Sequence, residues 1–156
     1  MHPESLELMK RFAAHYLDDD ELSILDVGSM DYNGTYRSLF DRWDYHGFDL
    51  TSGPNVDYTS LPTVKFDVVI SGQTLEHVPL PWEWIKQIYN LVKPGGLVCI
   101  IAPSQWPFHE YPIDCWRVFP DGLKALFSYA GLETIEVSNH RGVTGNDTYG
   151  VARRPI

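Results

Sequence analysis

Asp26 and Gly28 stand two apart in Ile24-Leu25-Asp26-Val27-Gly28-Ser29, and a second acid, Asp49, sits at the end of the next apolar run. Asp26-x-Gly28 closes one apolar run and opens a small, polar stretch, Met30-Asp31-Tyr32-Asn33-Gly34. Strand, tight turn and helix in that order is how an open α/β sheet builds a nucleotide-type site at the carboxyl end of its first strand. An acid ending the second strand can accept hydrogen bonds from both hydroxyls of an adenosine ribose. An acid that caps a strand is also a common solvated residue. It is the pairing of Asp49 with Asp26-x-Gly28 that points to adenosine.

The glycines separate two nucleotide readings. A dinucleotide site wants G-x-G-x-x-G, so that a pyrophosphate can approach the backbone and sit on a helix N-terminus. Only Gly28 and Gly34 are present, and Asp31 in the turn would repel a pyrophosphate. A ligand with a zwitterionic amino-acid end suits the turn better. That favours S-adenosylmethionine as cofactor over a nicotinamide dinucleotide, and leaves a nicotinamide-dependent oxidoreductase as the weaker enzyme reading.

Two further stretches carry chemistry. Leu75-Glu76-His77-Val78 follows a continuous apolar strand. Imidazole as a class exchanges protons near neutrality, so His77 is a candidate general base. Equally, Glu76 and His77 could only cap the loop. Pro103 to Phe119 is an aromatic loop with Trp106, His109, Tyr111, Asp114, Cys115, Trp116 and Arg117. Its aromatics offer apolar walls and His109, Asp114 and Arg117 offer polar points, as a small-molecule pocket needs. The structural alternative is that Asp114 pairs with Arg117 and the aromatics pack. Cys115 reads as a packing residue, with no activating partner in view.

Alternating strands and helices must position these groups. Pro3–Leu17 reads as an amphipathic helix, Leu22–Val27 as a buried strand, and Asn33–Phe40 as the start of a helix. Asp44–Leu50 is the second strand, with room for a short third at Asn55–Tyr58 in a Gly/Pro/Asn-bearing loop. Lys65–Ser71 is the fourth, Pro81–Lys93 a strong helix ended by Pro94-Gly95-Gly96, and Leu97–Ala102 the fifth strand. Pro120–Gly131 is a helix, and Leu132–Ser138 and Thr148–Ala152 form an antiparallel pair across the Gly142–Asp147 loop. Continuous apolar strands between helices imply a mostly parallel sheet covered on both faces, in one domain spanning 1–156.

Composition narrows the function classes. A formal charge of −9 gives no general attraction to phosphate backbones, so no nucleic-acid partner is expected. No apolar run approaches a bilayer span and no signal pattern opens the chain, so no membrane partner and a cytoplasmic location are expected. Two cysteines are too few for a disulfide framework or a cysteine-rich zinc site. The oligomeric state is open.

The chain resembles the class I S-adenosylmethionine-dependent methyltransferases of the small-molecule type, close to methyltransferase type 11 domains. The matching pieces are Ile24–Ser29, Gly47-Phe48-Asp49-Leu50, Phe66–Ser71, Leu75-Glu76-His77-Val78 and Leu91–Leu97, in family order across most of the chain. The resemblance implies an α/β, Rossmann-like, doubly wound sheet of seven strands, mostly parallel with an antiparallel last strand. The short stretch Thr51–Lys65 implies a fold trimmed between the second and fourth strands. It further implies that Asp26, Gly28 and Ser29 hold the methionine end, largely through backbone groups. Asp49 would take the ribose, Leu50 the adenine, and Ser71, Gly72 and Gln73 the sulfonium side, with Asp57-Tyr58 beside the adenine edge. His77 or His109 would be the base, and Trp106, Tyr111, Asp114 and Arg117 would meet a small-molecule acceptor. O-methylation is preferred; the absence of an Asn/Asp-Pro-Pro-Tyr run argues against amino-methylation of nucleobases. Some quinone-pathway O-methyltransferases carry a metal-binding acid where Gln73 stands; the amide weakens such a site, and no metal is expected. The non-enzyme alternative is an S-adenosylmethionine-binding module without an acceptor pocket.

Overall fold

The computed structural model describes residues 1–156. Six strands form one sheet: β1 (Ser23–Val27), β2 (Asp44–Phe48), β3 (Phe66–Gly72), β4 (Val92–Gln105), β5 (Glu133–Arg141) and β6 (Asn146–Arg153). Their order is β2-β1-β3-β4-β6-β5. The pairs β1–β2, β1–β3 and β3–β4 are parallel. β6 runs antiparallel to both β4 and β5, so the last strand is the sheet's one reversed member, as expected.

Alternation along each strand divides the core in two. Ile24, Val68, Ile70, Cys99 and Ile101 face α1 (Pro3–Tyr16), meeting Met9, Phe12 and the rings of Tyr36 and Phe40. Leu25, Val27, Val69, Val98 and Ile100 face α2 (Pro81–Leu91) and α3 (Pro120–Ala130), meeting Ile85, Ile88, Leu123 and Phe127. Burial on both faces is why these strands read as unbroken apolar runs rather than alternating ones. Pro120 opens α3, and Gly131, at φ 87°, closes it by donating to the carbonyls of Phe127 and Ser128.

Three expectations are corrected. The sheet has six strands, not seven. Thr51–Lys65 contributes only an isolated parallel bridge, Phe48 to Tyr58. Pro54 and Pro62 lack the N–H a ladder needs. The amides of Asp57 and Tyr58 both converge on the Gly47 carbonyl, at 2.8 and 2.9 Å, instead of running alongside β2. Nor is there an α-helix after β1. Asp31 accepts from the Gly34 amide at 2.8 Å and Gly34 takes φ 107°, so these residues are spent on a turn. The few left before β2 form one 3-10 turn, Arg37–Phe40. α2 stops at Leu91, two residues short of the expected Lys93, because Val92 already pairs with Phe66.

Gly28 is fixed by two constraints at once. Its φ is 81°, and a Cβ there would lie 2.0 Å from the Thr74 hydroxyl. Gly28→Ala should therefore cost about 2–4 kcal/mol from backbone strain and overpacking, lowering Tm by roughly 4–16 °C. Adding Thr74→Ala should return only the packing part, which paired thermal melts of the single and double variants would show.

Candidate functional site

The carboxyl ends of β1, β2, β3 and β4 open into one cleft of about 1070 Å³. Its two halves differ in chemistry.

The first half is acidic. Asp26 is the penultimate residue of β1 and is 2% exposed. The Tyr45 hydroxyl donates to its Oδ2 at 2.5 Å, while its buried Oδ1 has no partner. Burial pushes the Asp26 carboxyl up to about 7, against the Tyr45 hydrogen bond, which pulls it down. Asp49 also lines this half, holding only long bonds from the Met30 and Thr51 amides, at 3.4 and 3.2 Å. Leu50 lies beside it, 82% exposed. The amides of Gly28 and Ser29 are already used: both donate to the Phe48 carbonyl, at 2.8 and 3.1 Å. The two amides are therefore not free for a methionine end, which leaves the Gly28 carbonyl and the Asp26 carboxylate as acceptors there.

A network below the cleft ties this half together. Asn55 sits at φ 66° in the segment that replaces the missing strand. Its side-chain amide donates to the Ser29 carbonyl at 2.9 Å, the Thr35 hydroxyl at 2.8 Å and the Tyr45 hydroxyl at 3.1 Å. Its own carbonyl accepts from the Ser29 hydroxyl at 2.7 Å. Asp57 accepts from the Gly47 amide and from Arg37, which occupies it structurally rather than at an adenine edge.

The second half holds Glu76, His77 and His109 between aromatic walls. The backbone brings them together. The Glu76 carbonyl accepts from the amides of Cys115 and Trp116, at 2.7 and 3.1 Å, and the Trp116 indole donates to the Val78 carbonyl at 2.8 Å. These bonds stitch the loop after β4 to the short turn after β3, and the His77 and His109 rings end 5.0 Å apart. Glu76 is fully buried, and neither carboxylate oxygen has a partner. Burial raises its carboxyl to about 8. Trp106 and Tyr111 line the cleft from the loop, and Leu80, Trp84 and Gln87 from α2.

Three expected residues lie elsewhere. Ser71 is 1% exposed, and its hydroxyl donates into the sheet, to the Val27 carbonyl at 2.7 Å. Asp114 and Arg117 do not line the cleft. They pair with each other through two bonds of 2.7 and 2.8 Å, and Arg117 also donates to the carbonyls of Trp106 and Pro107. The guanidinium holds the Asp114 carboxyl well below the usual carboxylate range. The pair is a clamp that shapes the loop carrying Trp106, His109 and Tyr111. Gln73 does reach the cleft wall, but its amide is held by Asp147 at 3.0 Å.

Sequence reasoning weighed Glu76 only as a capping neighbour of His77, and it missed Thr74, Leu61, Trp84 and Gln87. For Glu76 the available signal was an acid next to a histidine immediately after a buried strand. For Trp84 there was none, because its helical spacing assigns it to the core, which it also serves.

Residues 3–137 match the model of a methyltransferase-domain family. The chain belongs to that family. This class I methyltransferase domain is 30% identical over 137 residues to the chloroplastic 2-methyl-6-phytyl-1,4-hydroquinone methyltransferase 1 of Oryza sativa subsp. japonica. The match takes in 82% of this chain and 40% of the rice protein, so the chain spans about two fifths of that relative's length. A Bacillus halodurans structure, provisionally assigned as a methyltransferase, superposes with a TM-score of 0.76 at 16% identity, covering 98% of this chain and 100% of that one. The 1,6-didemethyltoxoflavin-N1-methyltransferase of Burkholderia thailandensis, crystallised with its substrate and S-adenosylhomocysteine, superposes with a TM-score of 0.73 at 16% identity, covering 99% and 78%. No helix of the methyltransferase domain is long and apolar enough to cross a membrane.

Two outcomes follow from the electrostatics. Asp26 keeps its proton in the fold up to about 7 but loses it near 4 when unfolded. Its contribution to stability is therefore whole below pH 4 and is lost as pH rises towards 7. Asp26→Asn removes that loss, so the Tm of the variant minus that of wild type should increase between pH 4 and pH 8. A pH-independent difference would contradict the assignment. Arg117→Ala leaves the buried Asp114 carboxylate unpaired and should cost about 2–4 kcal/mol in urea unfolding. Arg117→Lys should recover little, because the two-pronged geometry is lost.

Proposed function

We propose that this domain binds S-adenosylmethionine in the acidic half of the cleft and transfers its methyl group to a small, planar, largely apolar acceptor in the aromatic half, with oxygen the preferred atom. The observation that carries the reading is the partition of one cleft: Asp26 and Asp49 at the strand ends on one side, His77 and His109 between aromatic walls on the other.

The residues fit the cofactor. The partnerless Oδ1 of Asp26 is an acceptor in need of a donor, and the ammonium of a methionine end supplies a charged one. Asp49, held only by long amide bonds, has lone pairs free for ribose hydroxyls. The turn after β1 lacks the helix N-terminus that a pyrophosphate would need, which weighs against a nicotinamide dinucleotide.

When bound, the cofactor supplies a methyl carbon already activated by a sulfonium. What remains for the protein is alignment, exclusion of water and removal of a proton. Trp84, Trp106 and Tyr111 give the acceptor apolar faces. His77 has its Nδ1 2.5 Å from the Ile113 carbonyl, so Nδ1 carries the proton and Nε2, 3.5 Å from the Glu76 carboxylate, is left as the base. His109 is the second candidate. The name of the rice relative, a hydroquinone methyltransferase, agrees with a planar acceptor bearing hydroxyls.

Asp49→Ala should weaken S-adenosylhomocysteine binding by about 1–3 kcal/mol, or roughly 5–150-fold, in calorimetry. Unchanged affinity would remove Asp49 from the site. Incubation with a panel of hydroquinones and catechols, read by release of S-adenosylhomocysteine, tests the transfer. Tight cofactor binding with no turnover on that panel would favour a binding module instead.

A further inference from the structure

The acceptor half of the cleft contains a donor set that proton transfer alone does not account for. Glu76, His77 and His109 each offer one ligand atom, and these atoms lie within 4.8 Å of one another. Glu76 is fully buried with both oxygens unpartnered, which is costly unless something completes it. Glu76 is among the residues that line the cleft and is not a member of either hydrophobic cluster. Its Oε1 is 3.5 Å from His77 Nε2.

The two imidazoles are held as ligands are held. The Nδ1 of His77 is 2.5 Å from the Ile113 carbonyl, and the Nδ1 of His109 is 3.3 Å from the Pro107 carbonyl and 3.5 Å from the Asp114 carboxylate. A carbonyl or carboxylate behind Nδ1 fixes the tautomer and leaves Nε2 to coordinate, the outer-shell arrangement of metal-bound histidines. Asp114 is fixed in turn by Arg117. The clamp described above thus orients His109 as well as the loop.

We propose that Glu76, His77 and His109 form a binding site for a first-row divalent transition-metal cation, of which Zn²⁺ is the best-matched probe. Two imidazoles and one carboxylate suit Zn²⁺, Mn²⁺ or Fe²⁺, and poorly suit Mg²⁺, which prefers an all-oxygen, largely hydrated shell. Ligand atoms on a tetrahedral Zn²⁺ sit about 3.3 Å apart, so side-chain shifts of about an ångström close the set. Three protein ligands leave the remaining coordination positions open to the cleft, as in catalytic rather than structural sites. The third ligand is His109, which reaches the site only because the loop after β4 is stitched to the turn after β3. The metal site itself does not depend on methyl transfer being the reaction.

The test is metal binding by the whole chain after chelator treatment and dialysis. Isothermal titration with ZnCl₂ and MnCl₂ should show one site with micromolar or tighter affinity for Zn²⁺ and much weaker binding of MgCl₂. Glu76→Gln and His109→Gln should each weaken Zn²⁺ by about tenfold or more, while His15→Gln, an exposed histidine on α1, should change nothing. Zn²⁺ should raise Tm in wild type and not in Glu76→Gln, and far-UV circular dichroism would show that the variants are folded. Added Co²⁺ should give visible d–d absorption that His109→Gln removes. No Zn²⁺ binding below millimolar concentration, or equal binding in wild type and both ligand variants, would overturn the proposal.

Discussion

One side-chain amide carries the acidic half of the cleft. In a sheet with a full crossover after β2, a strand and a helix would pack beside the turn after β1. Here that segment is a short loop, and Asn55 does the work through directed hydrogen bonds. It joins the turn after β1 at Ser29, the approach to the 3-10 turn at Thr35, that turn itself at Arg37, and the sheet at Tyr45. Asparagine tolerates the left-handed backbone that the position requires. Gly47 leaves room for the approach: a Cβ there would come 2.0 Å from the Asn55 carbonyl. The position of Asp26 follows, because the same Tyr45 hydroxyl that meets Asn55 also holds the Asp26 carboxylate.

The aromatic half is organised by a different principle. There the backbone of one turn is the template for a long loop. The Glu76 carbonyl faces outward to receive two loop amides while the Glu76 carboxylate is turned into the cleft. Arg117 then folds the loop on itself, linking Asp114 to the carbonyls of Trp106 and Pro107. The result places two histidines from distant parts of the chain edge to face. A charged pair that sequence suggested as a contact for an acceptor instead determines where the contacting residues stand.

What the sequence made legible follows from what periodicity and motif encode. Strands buried on both faces and helices with one apolar stripe leave patterns, so β1 to β6 and α1 to α3 were readable to within a few residues. Asp26 and Asp49 were readable because strand ends in parallel sheets converge on one edge. Side-chain direction is not encoded in that way. Ser71 stands at the correct edge but points into the sheet, and Asp114 and Arg117 lie on the correct loop but face each other. The helix expected after β1 failed because Asp31 and Gly34 together form a turn that uses up the residues a helix needs. Asn55 showed only as part of a Gly-Pro-Asn loop, and its bonds to four separate positions depend on tertiary placement that no local pattern carries.

The position of β6 has a consequence for how the chain assembles. The last strand in sequence is laid in the interior of the sheet, and β5 touches the sheet only through it. β5 therefore has no ladder to join until β6 exists. It joins either as a hairpin with β6 or after β6 has docked on β4, and in both cases β6 comes before it in the sheet. α1 depends on the same event, since Tyr149 and Val151 of β6 lie in the cluster that it covers. The first helix of the chain thus finds its complete surface only when the last strand arrives, so closure of this fold is a long-range step.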